Sequence, residues 1–140
     1  MKKLKKSNDL HDLIYKKIKE ENIICINQEL LFTSGAIAHY NELTVIVLDY
    51  TKIKNRTEEN TVLIQELGHY LSKSYYNTNS SFIHIEQMEL NADICAWNEF
   101  FPYSEIKKLM ENDICTATDI AKYYNVEVSY IARCLNYYYN

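Results

Sequence analysis

Only two glycines and one proline occur in the 140 residues. No Gly- or Pro-rich linker can therefore divide the chain, and a single domain over residues 1–140 is expected. No apolar run approaches the ~20 residues of a membrane span, so no membrane partner is expected. The four cysteines, Cys25, Cys95, Cys115 and Cys134, form no C-x-x-C pair. That spacing argues against a zinc knuckle or a disulfide frame, and for reduced core thiols in the cytoplasm. Positive charge is also scarce: fifteen basic residues against nineteen acidic ones leave a formal net charge of −4. Such a chain has little long-range attraction for nucleic acid. Its one basic cluster, at residues 1–6, lacks the apolar stretch of a secretion signal and reads as a solvated N-terminus.

A hydrophobic fraction of 47% is enough for a real core. Leu10, Leu13, Ile14 and Ile18 recur at helical spacing and predict a surface helix over 8–21. The run from Ile23 to Ile26 predicts a short buried strand or strand-like connection. Two β-branched stretches, 35–40 and 43–50, flank Asn41-Glu42 and predict a hairpin. Thr57, followed by Glu58 and Glu59, suits the N-terminus of a helix over 58–73 whose apolar stripe is Val62, Leu63, Leu67, Tyr70 and Leu71. A polar loop over 75–81 leads to a second helix, 85–100, ending before Pro102. Ser104 is placed to cap a short helix through Met110. Two more helices, 116–124 and 128–137, follow with Asn125-Val126-Glu127 between them. This order predicts an α+β fold: a short antiparallel sheet packed on one central helix, with a mostly helical C-terminal half.

The chemistry concentrates in Gln65-Glu66-Leu67-Gly68-His69, one residue away from the metallopeptidase pattern His-Glu-x-x-His. Residues four apart share a helix face, so positions 65 and 69 can address one ion while Glu66 reaches a water bound to it. Zinc lowers the pKa of such a water to about 7, and the neighbouring carboxylate moves its proton. A catalytic zinc takes three protein ligands, so another must come from elsewhere. On the second helix Glu89 shares a face with Ala92 and Ala96, and residues that small allow two helices to approach closely. Gly68 has the same effect from the first helix. His84, Glu86 and Cys95 are weaker candidates for a further donor.

The block "LIQELGHYLS", the later Glu89-x-x-Ala92-x-x-x-Ala96 stretch ending at Pro102, and the strand pair beginning at Gly35 together resemble the ImmA/IrrE family of zinc metallopeptidases. The resemblance covers roughly residues 10 to 135. It implies a zincin-like fold, a Zn2+ cofactor, and a phage or mobile-element repressor as protein partner and substrate. Carried onto this chain, it makes Glu66 the catalytic base and His69 and Glu89 metal ligands. Gln65 stands where the family has its first zinc histidine. An amide oxygen is a weak, neutral donor for zinc, so the implied metal set of Gln65, His69 and Glu89 is a weakened one. Two readings follow: a metal-dependent endopeptidase, or a pseudo-metallopeptidase that regulates a repressor by binding it.

Other residues have blander expected roles. His11 is expected on the surface and His39 in a structural position, although a strand residue there could line a substrate groove. Tyr70, Tyr75, Tyr76 and Tyr103 are possible donors to an oxyanion. The stretch 116–137 resembles a helix-turn-helix, but its only basic residues are Lys122 and Arg133, against Asp119 and Glu127. That density is too low for a DNA reader, so the tail is expected to pack on the domain or to hold the repressor.

Overall fold

The computed structural model describes residues 7–75 and 80–140. The basic N-terminal cluster and residues 76–79 of the expected loop, Tyr76 among them, lie outside the described residues. The elements in chain order are α1 (Ser7–Glu20), β1 (Ile24–Asn27), β2 (Gly35–Tyr40), β3 (Leu43–Leu48), α2 (Arg56–Ser72), α3 (Phe82–Phe100), α4 (Tyr103–Glu111), α5 (Ala117–Tyr124) and α6 (Val128–Tyr139). The expected α+β class is observed, with a small sheet, a central helix and a helical C-terminal half.

The three strands lie in the order β1-β3-β2. The hairpin forms as expected: β2 pairs antiparallel with β3, from Gly35 opposite Leu48 to Tyr40 opposite Leu43. Asn41 and Glu42 both take left-handed φ, 49° and 65°, as a two-residue turn matched to strand twist requires. β1 adds a parallel pairing to the other side of β3, so the sheet is mixed rather than purely antiparallel. β1 also corrects the expectation of a buried strand, because all four of its residues are exposed. A short apolar run reports only that its residues are greasy; whether another layer covers them is decided elsewhere in the fold. In β3 the alternation is regular, with Thr44, Ile46 and Leu48 turned into the core.

Helix α2 starts two residues earlier than expected. Its N-cap is Asn55, whose side chain accepts from Glu58 N at 2.9 Å. Thr57 does not cap this helix; its hydroxyl donates to Asn125 Oδ1, tying α2 to the α5–α6 turn. Ser104 likewise is no cap, since Pro102 occupies that position for α4. The buried face of α2 includes Leu63, Ile64 and Leu67, while Val62, Tyr70 and Leu71 are only half-buried. Around this face close Ile14, Ile46, Trp97, Phe101, Ile106 and Ile131. Full burial of such a side chain contributes roughly 1.5–3 kcal/mol. This shared core, rather than intrinsic propensity, holds helices as short as α4 and α5 in place.

Two cysteines depart from the expected core thiols. All four are free, but Cys25 and Cys115 are exposed and only Cys134 is fully buried. No described helix is long and apolar enough to cross a membrane.

A candidate metal-peptidase cleft between α2, α3 and β2

The two helices that carry the candidate residues cross almost in contact, and the sequence shows how. A Cβ added to Gly68 would overlap the carbonyl oxygen of Ala92 and lie 3.1 Å from the Cβ of Ala96. Gly68, Ala92 and Ala96 therefore form one flat seam, as their small size suggested. The close crossing brings an α3 side chain within reach of an α2 ion site. Glu89 Oε1 lies 3.2 Å from His69 Nε2. Gly35 does the same for the sheet: a Cβ there would collide with the Val62 side chain and come 3.5 Å from Glu66 Cγ.

Gln65, Glu66, His69 and Glu89 line one cleft of about 390 Å³, walled on the sheet side by Gly35, Ala36 and Ile37 and at one end by Tyr75. The structure thus brings together the four residues that the sequence singled out. Loss of water around Glu66 pushes its carboxyl pKa up to about 7; His69 opposes this shift and the Glu89 charge adds to it. Burial disfavours charge on His69, but its contacts with Glu89 and the Ser74 carbonyl outweigh that effect and raise its pKa. The side chain of Gln65 makes no hydrogen bond among the described residues.

His69 is oriented by Ser74, a residue that no motif or spacing singles out. Lys73 ends α2 in the left-handed conformation, φ 55°, and turns the chain back on itself. Ser74 N then donates to the His69 carbonyl at 3.0 Å, and His69 Nδ1 donates to the Ser74 carbonyl at 2.8 Å. Metal-ligating histidines use the same device: one ring nitrogen is fixed by a carbonyl so that the other faces the ion.

Asp49 is a second residue missed from sequence. It is buried and accepts from Leu30 N at 2.9 Å, from Thr51 N at 3.0 Å and from Lys52 Nζ at 3.2 Å. Lys52 in turn donates to the carbonyls of Leu30 and Thr33. Together they fix the β1–β2 loop, whose Thr33 forms part of the cleft rim.

The remaining candidates separate clearly. His84 and Glu86 are exposed, and neither they nor Cys95 line the cleft. Tyr75 lines it and stacks on His39, with ring centroids 5.2 Å apart. Tyr70 instead donates to Glu21, and Tyr103 packs against Tyr138 and Tyr139. His11, expected on the surface, is half-buried with Nδ1 2.8 Å from Asn60 Oδ1. In the tail, Arg133 is paired with Asp93 at 2.7 Å.

The donor set is one imidazole nitrogen, one carboxylate and one amide oxygen. Among the described residues, no group of three His, Cys, Asp or Glu side chains is arranged to hold a metal ion. The set fits a divalent cation only with the neutral amide counted as the third donor, which makes it a weaker site than one with two imidazoles.

No protein of curated function and no solved structure matches the chain. The profile of the IrrE N-terminal-like domain, peptidase family M78, matches residues 4–136, nearly the whole length, and spans every element that builds this cleft. The chain belongs to that metallopeptidase family.

Proposed function

We propose that the protein is a metal-dependent endopeptidase that cuts a peptide bond in a repressor-like protein partner. The observation that carries this reading is the meeting of His69 Nε2 and the Glu89 carboxylate, 3.2 Å apart, beside a Glu66 carboxyl with a pKa of about 7. A zinc ion held by His69, Glu89 and Gln65 would supply an acidified water and a polarised peptide carbonyl. Glu66 accepts the proton of the attacking water and returns it to the leaving amine. A pKa near neutrality suits both steps, because both protonation states are then well populated. Ser74 keeps the His69 ring from turning. Strand β2 is an edge of the sheet and forms one wall of the cleft. An extended substrate segment pairing with its open backbone groups would run along the cleft that Glu66 lines.

A second reading has its own support. Gln65 and the absence of three strong donors among the described residues favour a cleft that binds the same partner while holding little metal. Metal analysis after purification without added zinc, followed by incubation with a candidate repressor from the same genome, separates the two. The enzyme retains metal that a His69→Ala variant loses, and it cuts the repressor in a reaction abolished by Glu66→Gln. A metal-free protein that leaves the repressor intact but releases it from its operator identifies the binder.

A further inference from the structure

The cleft does not end at Gln65. Beyond it a second pocket of about 420 Å³ opens between the β1–β2 loop, the first half of α2 and the start of α6. Thr33 and Gln65 line both spaces, so the two form one groove with Gln65 at the junction. From Glu58 to His69 it follows α2 for about 16 Å, room for about five residues of extended chain.

Both walls of this second pocket are fixed. On the α6 side, Glu127 N donates to Thr61 Oγ1 at 2.9 Å and Asn60 Nδ2 donates to the Asn125 carbonyl at 3.0 Å. Further along α6, Arg133 is held by Asp93 and lies over the rings of Trp97 and Tyr130. On the opposite side, Asp49 and Lys52 clamp the loop. The lining is mixed. Ser34 and Ser129 offer hydroxyls, Ile53 and Val62 offer apolar surface, and the two cations, Lys52 and Arg133, are already paired with Asp49 and Asp93 while Glu58 and Glu127 add carboxylates. A surface whose cations are engaged and which is rich in hydrogen-bonding groups suits a polypeptide better than a phosphate or another compact anion.

We infer that the substrate polypeptide, on one side of the bond to be cut, continues over Gln65 into this second pocket. The α5–α6 tail is then part of the substrate-recognition surface as well as a packing element. The inference rests on the endopeptidase reading for its substrate class, but it can be tested by binding alone.

The probes are fluorescein-labelled degenerate tetrapeptides and decapeptides, with anisotropy measured on the Glu66→Gln protein to prevent turnover. Decapeptides are expected to bind about tenfold more tightly than tetrapeptides, a difference of roughly 1.4 kcal/mol. Ser129→Trp fills the second pocket from an exposed position; it should remove that advantage while leaving tetrapeptide binding unchanged. Ser34→Trp blocks the opposite rim and guards against a folding defect in the first variant. Decapeptides that bind no better than tetrapeptides, or an advantage that survives both blocks, overturn the inference even if Glu66-dependent cleavage is seen. A block-sensitive decapeptide advantage in a protein that cuts nothing sustains the groove and removes the endopeptidase reading.

Discussion

The two halves of α2 differ in how their polar groups are treated. In the N-terminal half, Asn60 and Thr61 are buried and fully engaged: Asn60 bonds His11 and Asn125, and Thr61 bonds Thr57 and Glu127. One turn later, the Gln65 side chain has no hydrogen bond among the described residues, the Glu66 carboxyl is raised to a pKa of about 7 by lost hydration, and His69 faces a carboxylate in an open cleft. Both halves belong to one continuous helix in one core. A fold made only for stability would satisfy the second half as it does the first, so the difference marks where polar groups are kept available for chemistry.

The sharpest way to break this contrast is at the helix crossing. Gly68→Val places two methyl groups against the backbone of Ala92, and destabilisation of about 3 kcal/mol or more is expected in a denaturant melt. In whatever fraction folds, displacement of Glu89 should abolish metal retention. Gly68→Ala should give a smaller effect of the same sign.

Glu66→Gln should separate stability from function. Activity is expected to fall by about 10²–10⁴-fold, while the folded state gains at neutral pH. The native carboxyl holds its proton up to about pH 7, whereas the unfolded one releases it near 4.5. Wild-type stability attributable to this group is therefore present at low pH and declines as pH rises from 4.5 to 7. The variant lacks that decline, and the difference should approach about 3 kcal/mol above pH 7. Melts at pH 4 and pH 8 test the sign; an equal pH slope in both proteins would contradict the buried carboxyl.

In the satisfied half, Thr61→Val removes the acceptor for Glu127 N and should cost about 1–2 kcal/mol. Metal content should not change, since Thr61 itself touches none of the three donors and His69 lies two turns further along α2. A loss of metal in this variant would show that the two halves are coupled. The smallest effect is expected at the hairpin: Glu42→Gly relieves a left-handed φ of 65° and should stabilise by about 1 kcal/mol, with no effect on the cleft.

Metal binding should also report the His69 contacts. Because Glu89 and Ser74 favour its protonated form in the metal-free protein, a metal must displace a proton. Zinc affinity should rise with pH, and calorimetry in buffers of different ionisation enthalpy should detect the released proton. The Glu89→Gln variant should release less.

Much of the cleft was legible because its chemistry is local. Gln65, Glu66 and His69 are set on one helix face by spacing alone, and Glu89 with Ala92 and Ala96 reads as a partner face on the next helix. The hairpin was legible because a period of two and a turn dipeptide are local as well. The errors share a cause. The exposure of β1, the engagement of His11, and the transfer of the α2 cap from Thr57 to Asn55 all depend on what another segment brings to the same place. No window of sequence contains that information.

The sequence by itself therefore determined the identity and order of the reactive groups, together with the small residues that permit two helices to touch. Only the tertiary structure decided that Ser74 returns to orient His69, that Asp49 and Lys52 pin the rim, and that α6 closes a second pocket beyond Gln65. The physical reason is range: helical periodicity acts over a few residues, whereas these contacts join segments that meet only once the hydrophobic core has closed.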